Sequence, residues 1–244
     1  LCLELNGYHE LSKSINSLID ELVTLCTGIH YLKECTPKAK DRLQSIGEGL
    51  SSKIFTHVLK KRLPDKDVSF LDVRDYIVTN KNFTKSIPLT EIIRKNCIPL
   101  EQEVLSNPNK FYVTQGFIGR TIDGETTTLG RGGSDYTASI LGEALNAQEV
   151  QIWTDVAGIA TTDPKICKQA QRINEITFKE AAEMATFGAK VLHPTTLTPV
   201  KRKGIPVFVG SSYEPDAPGT WIKEKVSEQP LVRAVTIKEG QCLI

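Results

Sequence analysis

The chain lacks the features that mark membrane, disulfide-bonded and zinc proteins. No apolar run approaches the roughly 20 residues of a bilayer-spanning helix, so no transmembrane segment is expected. Glu4, Asn6 and His9 interrupt any apolar core in the first residues, which do not read as a secretory signal. The cysteines at positions 2, 26, 35, 97, 167 and 242 form no C-x-x-C pair and no cluster with histidine. Such dispersed cysteines point to reduced thiols in a cytoplasmic protein and give no support to a structural metal. A surplus of charge is also missing: 30 Lys and Arg face 29 Asp and Glu, a net +1. No broad basic field for nucleic acid or a membrane surface follows from that balance, although a local cationic pocket stays open. The short basic patches, Lys60-Lys61 and "KRKG" at 201–204, read as solvated helix ends.

What is present is an ordinary globular composition in 244 residues, enough for one large domain with part of another. Leu11, Ile15, Leu18, Ile19, Leu22 and Leu25 recur at steps of three and four and predict an opening helix. A second helix is expected from about Gly49, stopped by "LPDKD", and then a strand at "VSFLD", 68–72. Pro88 and Pro99 punctuate 81–108, leaving room for a helix over Leu89 to Arg94 at best. "KFYVTQGFIG" from 110 reads as a nearly continuous β run, followed by a turn through Asp123-Gly124 and a second extended piece at "TTTL". Beyond the glycines, Ser134 or Asp135 can cap a helix through Ile140 and Leu145. A strand at "EVQIW", helices near 177–187 and 195–202, and strands at "IPVFVG" and "PLVRAVTI" follow. This alternation predicts an α/β fold, in which functional residues collect where strands end and helices begin.

One such junction is "TTTLGRGGSDYTA", 126–138. Its glycines permit positive φ and close backbone approach, and amides near a helix N-terminus attract anions. Arg131 offers a rigid fork suited to a carboxylate, and Asp135 could orient a cation or a reacting group. A tight turn with a solvated arginine would look the same. The spacing fits neither a Walker A loop nor the dinucleotide G-x-G-x-x-G, because position 135 is Asp. Further polar stations follow predicted strands: Thr154-Asp155, "GIATTDPK" with Lys165, and "FGAKVLHP" with Lys190. Arginine, aspartate and lysine at three such stations point to an anionic ligand.

In order along the chain stand "VTQGFIG", "TTTLGRGGSDYTA", "IWTDVAGI", "TTDP", "EAAEMATFGAKVLHP" and "IPVFVGSS". On these motifs the sequence resembles the aspartate kinases of the amino-acid kinase family, most of all their lysine-sensitive monofunctional branch, over most of 45–215. The resemblance implies a three-layer α/β/α sandwich with a mostly parallel central sheet. It implies a kinase domain over 1–226 and, from 227 to 244, the start of a C-terminal ACT regulatory region. The implied reaction is transfer of phosphate from ATP, carried with Mg2+, to the β-carboxylate of L-aspartate. Arg131, with the amides around Gly132, Gly133 and Ser134, would hold a substrate carboxylate. Glu48, unremarkable on its own as a helix or surface acid, matches the glutamate that meets the substrate amino group. Asp135 would organise the phosphoryl-transfer centre, and Thr154, Asp155, Ala160, Lys165, Lys190 and Val191 would contact the nucleotide. A homodimer or tetramer and lysine feedback through the ACT region are further implications.

Departures from the family pattern shape the expectation. The lysine-phenylalanine-glycine-glycine stretch of the family's first strand does not occur before Leu11, so missing parts at both ends are expected, and efficient turnover by these 244 residues alone is not. Ala160 stands where an aromatic residue usually meets the base, and Lys165 where arginine is common, which predicts weaker ATP binding. Two rivals share the fold: a kinase for glutamate, acetylglutamate or carbamate, and a non-catalytic regulatory or ligand-binding subunit.

Overall fold

The computed structural model describes residues 9–187, 192–227 and 230–236. It is α/β, as expected, and divides into two compact units with the boundary between Ser134 and Asp135.

The first unit opens with helix α1, His9–Leu32, and α2, Pro37–Arg62. α2 starts twelve residues earlier than the apolar pattern predicts, with Thr36 accepting from the Ala39 amide as N-cap and Pro37 in the first turn. Its early half is hard to see in sequence because its inward face is polar or small: Asp41, Ser45, Gly49, Ser52 and Thr56 are buried beside Ile46. The hydroxyls of Ser45, Ser52 and Thr56 bond to carbonyls one turn back, which allows a polar face to be buried. Strand β1, Asp67–Leu71, precedes helix α3, Thr90–Ser106. α3 runs well past the expected Arg94 and carries Pro99 inside it. Proline removes one backbone donor, but Ile93, Cys97 and Leu100 bury a continuous stripe that holds the helix together.

The expected run "KFYVTQGFIG" is two strands in different sheets. β2, Lys110–Thr114, pairs in parallel with β1, whereas β3, Ile118–Arg120, pairs antiparallel with β4, Thr126–Thr128. The break falls at Gly116-Phe117, where Phe117 takes φ 69° and reverses the pleat. β4 is fully buried although it is all threonine, and each hydroxyl has a partner. Thr126 accepts from Arg42 and Arg74, Thr127 bonds Thr79 at 2.7 Å, and Thr128 donates to Asp41 at 2.7 Å.

Helix α4, Gly133–Ala144, begins across the boundary and leads into the second unit. There β5, Val150–Thr154, β6, Glu175–Thr177, β7, Val207–Ser211, and β8, Thr220–Lys223, form a sheet of order β5-β7-β8-β6. Three of the five strand pairings among the described residues are parallel, β1 with β2, β5 with β7 and β6 with β8. Helices α5, Phe178–Thr186, and α6, Leu197–Lys203, pack around a core that includes Ile152, Ile176, Phe178, Val200, Val207, Val209 and Ile222. The expected strand at "PLVRAVTI" does not form over 230–236; residues 237 onward lie outside the described residues. Instead Arg233 bonds Glu180 and the Glu175 carbonyl, and the Val235 amide donates to Thr161. Two bonds from the Arg233 side chain and one backbone bond thus stand in place of a strand ladder in this segment.

Candidate active site

The glycine loop leaves buried β4 and turns immediately. Gly130 and Gly132 take φ of 78° and 68°, values that exclude most side chains, and the Gly133 amide closes the turn on the Gly130 carbonyl at 3.1 Å. Close approach fixes the other glycines. A Cβ on Gly133 would lie 2.6 Å from Phe117 Cδ2, and one on Gly116 would lie 3.0 Å from Ser134 Cα. The Leu129 amide donates to the Phe117 carbonyl at 2.9 Å, so the β2–β3 break and the glycine loop are one built structure. On it Arg131 and Ser134 are exposed while Gly133 is buried. An exposed guanidinium on a rigid turn, beside the first turn of α4, is suited to an anionic group.

Glu48 lies on α2 and is half-buried; burial pushes its carboxyl above the ordinary value. Asp135, in the first turn of α4, is half-buried as well, and burial again raises its carboxyl. A carboxylate partly stripped of water gains from a cationic partner.

In the second unit, Thr154 ends β5 at the carboxyl edge of its parallel pairing with β7, the edge where α/β sheets take ligands. Its hydroxyl donates to Asp155 at 3.1 Å, and its carbonyl accepts from the Ser212 amide and hydroxyl at 2.7 and 3.0 Å. Asp155 is exposed. Ala160 bridges Arg172 in a short antiparallel rung, flanked by bonds from Ile173 to Ile159 and from Thr161 to Gln171. The exposed Lys165 sits at the tip of the loop so formed, its amide held by Asp163 at 2.9 Å. Lys190 and Val191 lie outside the described residues.

Comparison with known proteins decides the family. Residues 7–211 match the amino acid kinase family. The chain belongs to that family. Among proteins of this family, the lysine-sensitive aspartokinase 3 of Escherichia coli is 46% identical over 94% of this chain and 51% of its own length. The aspartokinase of Chlamydia pneumoniae is 41% identical over 82% of this chain and 44% of its own. Two crystal structures of E. coli aspartokinase III are similar in fold. The R-state with aspartate and ADP has a TM-score of 0.83 at 46% identity over 91% of this chain and 48% of that one. The T-state with lysine and aspartate has a TM-score of 0.84 at 44% identity over 96% and 51%. The chain therefore spans about half the length of the relatives it matches.

Two buried residues, one in each unit, support these segments and carry no local sequence signal. Asp41, 0% exposed, holds the Thr84 and Thr128 amides beneath the glycine loop. Thr220, also 0% exposed, accepts from the Ile159 amide at 2.9 Å and donates to the Ile173 carbonyl at 2.6 Å, pinning the Ala160 rung to β8. Their partners are 43 or more residues away in sequence, so only the fold reveals them.

Proposed function

We propose that this chain carries the kinase region of an aspartate kinase, which makes 4-phospho-L-aspartate and ADP from L-aspartate and ATP. A β-carboxylate oxygen attacks the γ-phosphorus, and the bond from that phosphorus to the bridging oxygen of ADP breaks. Arg131 pairs with the α-carboxylate, with the loop at Gly132, Gly133 and Ser134 beneath it. Glu48 takes the ammonium group. Holding both α-substituents leaves the β-carboxylate to reach the phosphate, and that positioning is most of what phosphoryl transfer requires of a protein. Asp135 organises the transfer centre. Thr154, Asp155, Ala160 and Lys165, with Lys190 and Val191, serve the nucleotide. The observation that carries this reading is the exposed Arg131 on its two-glycine turn, in a chain so similar over most of its length to an aspartokinase solved with aspartate and ADP.

Among the described residues no group of three or more His, Cys, Asp or Glu side chains forms a cation cage. Magnesium would arrive on the nucleotide phosphates, and Asp135 and Asp155 are the carboxylates among the residues proposed for the transfer centre and the nucleotide. When bound, that ion neutralises charge on the phosphate oxygens. Residues 1–226 form the kinase region of this proposal and 227–244 begin the regulatory one. Similarity to a lysine-sensitive relative supports lysine as a regulatory ligand of the whole protein.

A substrate panel tests the reading. The full-length protein is assayed with ATP and aspartate, glutamate, acetylglutamate or carbamate. Aspartate is expected to have a kcat/KM at least about a hundredfold above the others: glutamate held by both anchors misplaces its side-chain carboxylate, acetylglutamate leaves Glu48 unpaired, and carbamate offers neither α-substituent. A preference for any other acid, or binding of aspartate without turnover, would refute it.

A further inference from the structure

We infer that Asp41 is a positioning residue that sets the distance between the two substrate anchors, the glycine loop and Glu48. This rests on the aspartate kinase reading above. Asp41 is fully buried, and among the described residues its carboxylate accepts hydrogen bonds from the supports of the loop. The Thr84 amide donates to both oxygens, at 3.0 and 2.8 Å; the Thr128 amide donates at 3.0 Å and the Thr128 hydroxyl at 2.7 Å. A carboxylate is acceptor-only, which suits three converging donors.

These partners form the two walls of the loop. Thr128 is the last residue of β4, two before Gly130. Thr84 has φ 71°, and a Cβ on Gly130 would lie 3.2 Å from its carbonyl oxygen, so the Thr84 turn is the surface on which Gly130 rests. The Ser86 amide closes the frame on the Thr128 carbonyl at 2.9 Å. From Asp41, Glu48 is seven residues along α2, about two turns and on nearly the same face. One rigid helix therefore grips the base of the Arg131 loop at one point and presents Glu48 two turns further on. The separation of the ammonium and carboxylate anchors is fixed through Asp41, without Asp41 meeting the substrate.

The prediction separates geometry from charge. In Asp41→Asn the amide nitrogen can face Thr128 Oγ1, whose hydroxyl turns to accept, while the remaining oxygen keeps both backbone amides. In Asp41→Ala all three donors lose their acceptor. Steady-state kinetics of the full-length protein are measured for both substrates. Asp41→Ala is expected to raise KM for aspartate about tenfold and leave KM for ATP within about twofold, since a small misplacement of one anchor falls on one substrate. Asp41→Asn is expected to bring KM for aspartate back to within about threefold of wild type. Should Asp41→Ala fail to fold by circular dichroism, Thr128→Val decides instead, with the same split and a rise of about threefold in KM for aspartate. An unmoved aspartate KM, parallel changes for both substrates, or an asparagine variant as impaired as alanine overturns the inference. A wild type that does not phosphorylate aspartate overturns the functional reading and the inference with it; an active wild type without the split overturns the inference alone.

Discussion

Glu48 and Asp135 both sit where burial disfavours their charge, and each has an expected use for that charge. For binding, Glu48 must be ionised to meet an ammonium group. As pH falls through its raised pKa the carboxylate protonates, so KM for aspartate should begin to climb above the ordinary carboxyl value of 4.5. A KM profile over pH checks this, and Glu48→Gln should flatten it while raising KM throughout. For stability the sign is opposite to that of a salt-bridged acid. A folded pKa above the unfolded one disfavours the ionised folded state once pH rises past both. Glu48→Gln and Asp135→Asn should therefore raise Tm at pH 7, with the gain shrinking as pH falls through the raised folded pKa and gone below the unfolded carboxyl values. Melting curves at two pH values would contradict this if either variant melts lower at pH 7. Gly133 is limited by space instead: an added Cβ would meet Phe117 Cδ2 at 2.6 Å and the Phe117 backbone at 3.2 Å. Phe117 already sits at positive φ and has little freedom to yield, so Gly133→Ala should shift the loop and raise KM for aspartate about tenfold.

Among the elements, α5 shows how local chemistry holds the second unit. Thr177 and Glu180 form a reciprocal capping box, and the same Glu180 carboxylate receives Arg233. Burial alone would raise the Glu180 carboxyl, but the Thr177 and Arg233 bonds outweigh it and lower it. Thr177→Ala should cost about 1 kcal/mol, read from urea unfolding. An unchanged unfolding midpoint would show that the cap is redundant. Elements with a local signal were legible in the sequence: α1 from its apolar period, β1 and β5 from β-forming runs, and the Gly130 turn from its glycines. The first half of α2 was hidden because Asp41, Ser45, Ser52 and Thr56 give no hydrophobic period. The split of β2 from β3 was hidden because β-forming residues flank Gly116 on both sides, and only the different pairing partners reveal the break. Arg131 and Asp135 could be picked out from residue chemistry, whereas Glu48 was visible only through resemblance and Asp41 not at all.

At the scale of the whole molecule, the first unit holds the proposed substrate anchors, Glu48 and the loop from Arg131 to Ser134, and the second holds Asp135 and the proposed nucleotide residues. Membership of the amino acid kinase family fixes the fold, and the proposed substrate rests on the two anchors assigned to the first unit. In the proposed reading, a ligand whose carboxylate pairs with Arg131 and whose ammonium pairs with Glu48 would be an α-amino acid bound through both α-substituents. Only its side-chain carboxylate is then left to react. The position of phosphorylation is the most exposed consequence of such a grip. The direct measurement is to run the full-length protein with MgATP and L-aspartate, trap the acyl phosphate with hydroxylamine, and identify the hydroxamate by mass spectrometry against both isomers. Aspartate β-hydroxamate is expected, formed in step with ADP. The α-isomer, or ADP release with no hydroxamate from aspartate, would contradict it.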